Sequence, residues 1–169
     1  MKKIYSRVEL TANVLIIIVA LLFAVVLVQR EILNKPAFNQ PPRVQPTIGS
    51  RVNLSEVNWS QHPKTLILAL QTRCHFCNES APFYKRLIES AQNENVKLVA
   101  VFPTGKEEGA NHLKELGLTN LDVKQAPLNS LQVSGTPTLI LTNAQGEITN
   151  YWVGRLTPDK ETEVISHLR

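Results

Sequence analysis

The feature that most constrains the fold is the segment Cys74–Cys77 (Cys-His-Phe-Cys), which contains both cysteines of the chain. An apolar run over 65–70 comes shortly before it, and a helical pattern runs over about 78–92. We therefore predict a strand that leads into a helix, with the cysteines at the junction. The first turn of a helix has unpaired N–H groups and a partial positive charge, which favour a thiolate at Cys74. Cysteines three residues apart on that turn are close enough to form a disulfide and to reopen it.

The number of cysteines limits what this pair does. Two cysteines at this spacing also make up half of many zinc sites, but a structural zinc ion takes four ligands. The chain has no second cysteine pair to complete such a set. We therefore interpret the pair as a redox-active disulfide, and we expect neither a bound metal nor another cofactor.

Residues further along the chain match those of a known family. Pro82 lies five residues after Cys77, where thioredoxins have the proline that bends the active-site helix. The segment Thr136-Pro137-Thr138 matches the family's cis-proline followed by threonine. Over 52–169 the chain resembles a thioredoxin-like domain, and most closely the membrane-anchored redoxins of the TlpA/ResA type.

The order of the predicted elements agrees with this resemblance. Strand–helix–strand units imply parallel strands, and a final hairpin adds antiparallel ones. The predicted elements are strands over 66–70, 96–102 and 121–123, a helix over 106–116 ended by Gly117, a one-turn helix opened by Pro127, a hairpin from Thr138 and a last helix from Pro158. The expected fold class is therefore α/β, with a thioredoxin-like mixed sheet flanked by helices.

The resemblance also implies an activity and a class of partner. In this family the thiolate equivalent to Cys74 attacks a substrate disulfide, and the second cysteine, here Cys77, resolves the mixed disulfide. Thr136 and Pro137, joined by a cis peptide bond, are expected to pack against the dithiol and bind the substrate backbone. The implied clients are exported proteins with disulfides or dithiols, such as apocytochromes, and a membrane redox partner supplies electrons.

Two residues beside the cysteines are predicted to modulate the pKa of the active-site thiol. Arg73 stands where the family usually has tryptophan, and its guanidinium favours the thiolate if it points toward the sulfur. His75, in the first intervening position, adds to the local positive potential. The alternative for each is a solvated side chain with little effect on the redox potential.

Two positions at which the family places carboxylates are not acidic in this chain. Leu68 stands where thioredoxins have a buried aspartate, and Ser80 stands where ResA-type proteins have an acidic residue. Glu79 is adjacent to the second position, but one residue along a helix rotates the side chain by about 100°. The sequence therefore provides no obvious dedicated base for proton transfer.

A copper carrier is the alternative function. Some thioredoxin-fold proteins bind copper through two cysteines and a distant histidine, although they usually space the cysteines one residue wider. His167 on the last helix is the candidate third ligand, and His112 and His62 are weaker candidates. A histidine on an amphipathic surface helix is ordinarily just solvated, so we favour the oxidoreductase.

The run from Leu10 to Val28 contains no charged side chain. A helix of this length spans roughly 28 Å, which is close to the hydrocarbon thickness of a bilayer. The following residues, 29–31, are Gln-Arg-Glu and do not form the small-residue site at which a signal peptide is cleaved. We therefore predict a retained transmembrane anchor that contacts the lipid bilayer through residues 10–28.

This anchor organises the rest of the chain. The predicted segments are a short cytoplasmic N-terminus (1–9), the transmembrane anchor (10–28), a proline-rich tether (29–49) and the thioredoxin-like domain (50–169). Basic residues are slightly more frequent before the span than after it: Lys2, Lys3 and Arg7 against Arg30 and Lys35. This bias favours a single-pass protein of the cytoplasmic membrane with its C-terminal domain outside the cytoplasm, in the periplasm or its equivalent, where disulfides persist.

The net charge of +4 does not indicate a nucleic-acid site. Six of the 18 basic residues lie before the domain, in the N-terminus and the tether: Lys2, Lys3, Arg7, Arg30, Lys35 and Arg43. The basic residues of the domain are scattered among acidic ones, so we expect no nucleic-acid partner.

Overall fold

The computed structural model of the chain describes residues 15–26, 44–54, 56–119 and 121–169. The chain divides into two units, Met1–Pro42 and Arg43–Arg169. In the first unit, residues 15–26 form helix α1. Among the described residues, no helix is both long and apolar enough to cross a membrane. The remaining parts of the predicted N-terminal segments, 1–14 and 27–43, lie outside the described residues.

The second unit is built on a sheet of five strands in the order β3-β2-β1-β4-β5. The strands are β1 (Lys64–Ala69), β2 (Val96–Phe102), β3 (Asp122–Gln125), β4 (Thr138–Asn143) and β5 (Ile148–Val153). The first three are parallel to one another, whereas β4 is antiparallel to both β1 and β5. The predicted mixed sheet with a closing hairpin is confirmed, and the third strand lies slightly C-terminal to its predicted position.

The helices of this unit connect and flank the strands. They are α2 (His75–Glu79), α3 (Ala81–Asn93), α4 (Lys106–Glu115) and α5 (Pro158–Leu168), with 3-10 helices at Trp59–Gln61 and Leu128–Leu131. Gly117 has a φ of 68°, so it ends α4 in the left-handed conformation that glycine adopts most easily, as predicted. The one-turn helix after Pro127 and the last helix from Pro158 are likewise confirmed.

The predicted active-site helix differs from the structure. The sequence predicts one helix over 78–92, whereas the structure has two, which meet at Ser80. The first begins earlier, at His75, because Cys74 is its N-cap and the Cys74 sulfur accepts a hydrogen bond from the N–H of Cys77. Cys74 therefore caps the start of the helix, and Cys77 lies within its first turn.

The side chains of the central strands alternate between two buried clusters, one on each face of the sheet. Leu66 and Leu68 of β1 point into the larger cluster, to which α3, α4 and α5 contribute. Ile67 of β1 points into the smaller cluster, which the segment around Val52 and the 3-10 helix at Leu128–Leu131 help to cover. Burial of each large aliphatic side chain contributes roughly 1.5–3 kcal/mol, so this sheet is a rigid base for the loops at its ends.

Helix α4 lies close against β2 because Gly109 has no side chain. A Cβ atom at Gly109 would stand 2.5 Å from Cδ2 of Phe102, which is fully buried. Glycine is therefore needed here for close packing, although it is a poor helix former.

We predict that Gly109→Ala destabilises the domain by about 1–3 kcal/mol, because the new methyl group overpacks against the Phe102 ring. Asn111→Ala is the matched control, since it also introduces alanine into α4 but at an exposed position. Urea unfolding of both variants measures the difference. Equal stability of the two variants would contradict this account of α4 packing.

Candidate active site

A disulfide joins Cys74 and Cys77, with 5.2 Å between their Cα atoms. The two sulfurs are in different environments. Cys74 is 9% exposed at the N-cap of α2, and its Sγ lies 3.1 Å from the backbone nitrogen of Cys77, whose N–H donates to it. Cys77 is only 1% exposed and belongs to the larger core cluster. Cys74 is therefore the more exposed of the two residues, and the backbone N–H at its sulfur is a contact of the kind that stabilises a thiolate.

The loop before β4 lies directly beside this disulfide. The peptide bond between Thr136 and Pro137 is cis, as predicted, and the carbonyl oxygen of Thr136 is 3.4 Å from Cys74 Sγ. The Thr136 hydroxyl donates to Oε1 of Gln71 at 3.1 Å, and the N–H of Gly154 donates to the Pro137 carbonyl at 2.7 Å. Contacts from the β1–α2 loop on one side and from the end of β5 on the other thus hold the proline loop against the dithiol.

The break between α2 and α3 has two causes. Proline has no N–H, so Pro82 cannot donate the hydrogen bond that a continuous helix requires. In addition, the Ser80 hydroxyl donates to the Phe76 carbonyl at 2.8 Å, in competition with the helical bonds of that turn. The break leaves α2 as a short, separate helix with Phe76 54% exposed on its surface.

No carboxylate is hydrogen-bonded to either cysteine within the described part of the chain. Leu68 is fully buried in the same cluster as both cysteines, so an apolar side chain fills the position of the thioredoxin aspartate. Ser80 is buried, and its hydroxyl is engaged with a backbone carbonyl. Burial raises the pKa of nearby Tyr84, one helical turn beyond Ser80, far above its ordinary value, so this phenol stays neutral at physiological pH.

A cluster of charged side chains borders the cysteines on the α2 side. Nε2 of His75 lies 3.3 Å from Oε1 of Glu79, and Nη1 of Arg155 lies 2.8 Å from Oε2 of the same carboxylate. Arg155 follows Gly154, which is bonded to the proline loop, so Glu79 links α2 to that loop. Glu79 points toward Arg155 and the His75 imidazole rather than into the core, so it does not replace the missing buried acid.

The other predicted residue that borders the dithiol is Arg73. Its side chain is exposed on the loop between β1 and α2, immediately before Cys74. The predicted effects of Arg73 and His75 on the thiolate, and the binding of substrate by Thr136 and Pro137, stay predictions.

The candidate copper ligands are dispersed. Nδ1 of His62 lies 3.2 Å from Oδ1 of Asn95, His112 packs edge-on against Phe102, and His167 packs edge-on against Trp152. Across the described residues, no group of three or more histidine, cysteine, aspartate and glutamate side chains is arranged to hold a metal ion.

Several residues that shape the site were not identified from the sequence. Gln71 bonds to Thr136, which is 65 positions away in the chain, and Glu79 pairs with Arg155 at a separation of 76. Such polar side chains resemble ordinary surface residues in a sequence. Gln71 alone could have been identified from the sequence, because it lies just before the cysteines.

Comparison with known proteins gives likenesses of structure and not of sequence. No family model and no curated protein matches the chain. Among solved structures, the thioredoxin domain of a thiol-disulfide oxidoreductase from Bacteroides vulgatus aligns with a TM-score of 0.57 and 14% identity, over 73% of this chain and 98% of that one. StoA from Bacillus subtilis aligns with a TM-score of 0.52 and 16% identity, over 75% of this chain and 99% of that one. A thiol-disulfide isomerase from Corynebacterium glutamicum aligns with a TM-score of 0.52 and 15% identity, over 76% of this chain and 96% of that one.

These identities are too low to transfer an activity, but the alignments cover nearly the whole of each solved domain. They show a common fold over residues that include the five-stranded sheet and its flanking helices. The chain therefore has a thioredoxin-like fold, and its Cys-x-x-Cys disulfide lies at the N-terminus of α2.

Proposed function

We propose that this protein is a thiol–disulfide oxidoreductase that exchanges disulfides with exported proteins. The observation on which the proposal rests is the asymmetry of the two sulfurs. Cys74 retains 9% exposure and its sulfur accepts a backbone N–H at a helix N-terminus, whereas Cys77 is only 1% exposed. An exchange reaction needs one sulfur of each kind, because one attacks the client and the other releases it.

The geometry supports a two-step exchange. In the dithiol form, the Cys74 thiolate attacks one sulfur of a client disulfide, a mixed disulfide forms, and the second client sulfur leaves as a thiolate. Cys77 then loses its proton and attacks Cys74 Sγ, which re-forms the disulfide and releases the client's first sulfur as a thiolate. The client gains two electrons that the dithiol loses, and the same steps in reverse oxidise a client dithiol.

Proton transfer in the second step uses groups other than a buried carboxylate. Leu68 occupies the position from which an acid would act, and the Ser80 hydroxyl is bonded to a carbonyl. The proton of Cys77 therefore passes to the departing client thiolate or to water that enters with the client. The carbonyl of Thr136 and the loop of Pro137 hold the client backbone next to Cys74 during this step.

We also propose that residues 10–28 anchor the protein in the cytoplasmic membrane, with the domain outside the cytoplasm. The uncharged run and the basic residues before it support this placement. The large apolar side chains of α1 point in all directions and are exposed, the least of them to 49%. Such a surface is favourable in lipid and unfavourable in water. The client is then an exported protein, and a redox partner in the same membrane resets the disulfide.

The cysteines are predicted to differ in their effects on exchange. Cys74→Ser should reduce exchange with a disulfide substrate to background, because the attacking sulfur is lost. Cys77→Ser should still attack but fail to resolve, so client proteins stay bound to Cys74 until a reductant releases them. Non-reducing gel electrophoresis of acid-quenched cells measures these adducts, with Cys74→Ser as the control.

Two results would contradict the exchange reaction. One is a Cys77→Ser protein that forms no reductant-sensitive adducts although its Cys74 alkylates readily. The other is tight binding of Cu(I) that is lost equally with either substitution, which is the behaviour of a copper carrier.

The proposed anchor is tested by fractionation, by protease digestion and by introducing charged residues into the uncharged run. The intact protein should sediment with membranes, and protease added outside the cytoplasmic membrane should release a domain cleaved within the tether. Replacing Val19 and Leu22 by lysine should release the protein from membranes, because each lysine costs about 3 kcal/mol at the centre of a span. A domain that stays protected until the membrane is lysed would contradict the proposed orientation.

A further inference from the structure

A cleft opens at the carboxyl ends of β1 and β2, along the loop that leads from β1 to Cys74. It has a volume of about 390 Å³ and is lined by Gln71, Thr72, Arg73, Thr104 and Glu108. These residues come from the loop between β1 and α2 and from the region where α4 begins. In open α/β sheets, ligands bind in crevices outside the carboxyl ends of the strands, so the cleft lies where this architecture places a binding site.

Both walls of the cleft are held in place by side-chain hydrogen bonds. Gln71 accepts from the Thr136 hydroxyl at 3.1 Å, which connects the cleft to the loop that contacts Cys74. Thr72 donates to Oε1 of Glu108 at 2.8 Å, which connects the same loop to α4. A peptide whose cysteine reaches Cys74 beside Thr136 therefore extends over this cleft on one side of that cysteine.

The charges around the cleft identify Arg73 as the recognising group. Lys106, at the start of α4, is ion-paired with Glu56, and Arg155, on the other side of the disulfide, is ion-paired with Glu79. Arg73 is exposed and makes no ion pair with any residue that the structure describes. The carboxylate of Glu108 also lines the cleft. The hydrogen bond from the Thr72 hydroxyl holds it on the α4 wall, and it makes no ion pair with Arg73. Arg73 thus offers an unpaired guanidinium one residue from the attacking sulfur, and a carboxylate is its best ligand.

We propose that this cleft, the Arg73 cleft, is a client subsite in which Arg73 selects an aspartate or glutamate side chain close to the client's reacting cysteine. The inference rests on the proposed function, since it specifies which client peptides the same dithiol prefers. Arg73 acts here on the client's side chain. This role is distinct from any effect it has on the Cys74 thiolate.

The experiment uses the reduced full-length protein in detergent and short peptides whose single cysteine is joined to 2-thiopyridine. Two pairs of peptides carry glutamate or glutamine at the same position, one pair before the cysteine and one after it. Attack by Cys74 releases thiopyridone, and its absorbance gives the second-order rate constant. The measured quantity is the ratio of the rate constants for the glutamate and glutamine peptides, in which any change of thiolate reactivity cancels.

In one of the two pairs, the ratio for the wild-type protein should exceed that for Arg73→Gln by about two- to fivefold, the size expected of a surface ion pair. High salt should reduce the difference. Arg51→Gln is the matched control, because it removes the same charge from the opposite end of the sheet, beside Glu147. That control should keep the wild-type ratio.

An equal ratio in the wild type and in Arg73→Gln for both pairs would overturn the inference while leaving the proposed function intact. A ratio that Arg51→Gln lowers as much as Arg73→Gln would also overturn it, since the preference would then reflect net charge. Failure of every peptide to react, although Cys74 alkylates, would instead contradict the proposed function, and the inference with it.

Discussion

The hydrogen bond from the N–H of Cys77 to the sulfur of Cys74 is the interaction on which the site depends. It makes Cys74 the N-cap of α2, so a single contact both starts the helix and lies at the sulfur that we propose to be the attacking one. The helix in turn carries Cys77 into the core behind it, where Leu68 and the other residues of the larger cluster exclude water. The difference in reactivity that we propose for the two cysteines therefore follows from how the chain begins one helix.

The surroundings of the dithiol are fixed by contacts between distant parts of the chain. Gln71 and Gly154 hold the proline loop from opposite sides, and Glu79 connects α2 to Arg155. All these loops begin or end at strands of the buried sheet, which fixes their positions. Leu68 is apolar, so this site has no base at that position. In the exchange that we propose, the client or solvent therefore takes part in proton transfer.

Much of the fold was predictable because it depends on local patterns. The parallel strands are apolar runs and the closing hairpin has a glycine turn. The cis-proline was expected from the resemblance, in which a threonine follows that proline. The break at Ser80 was missed because it depends on a side-chain bond to the backbone in addition to Pro82. The polar contacts of Gln71 and Glu79 were missed for a different reason. They join residues more than 60 positions apart, and nothing in a single sequence pairs them.

The most direct test of the central claim is the pH dependence of alkylation of Cys74 in the Cys77→Ser protein. If the helix N-terminus stabilises the thiolate, half-maximal alkylation should occur at a lower pH than for free cysteine. Unfolding in urea should abolish the difference, because the helix and its N–H donors are lost. A folded protein whose Cys74 alkylates with the same pH dependence as its unfolded form would contradict the account.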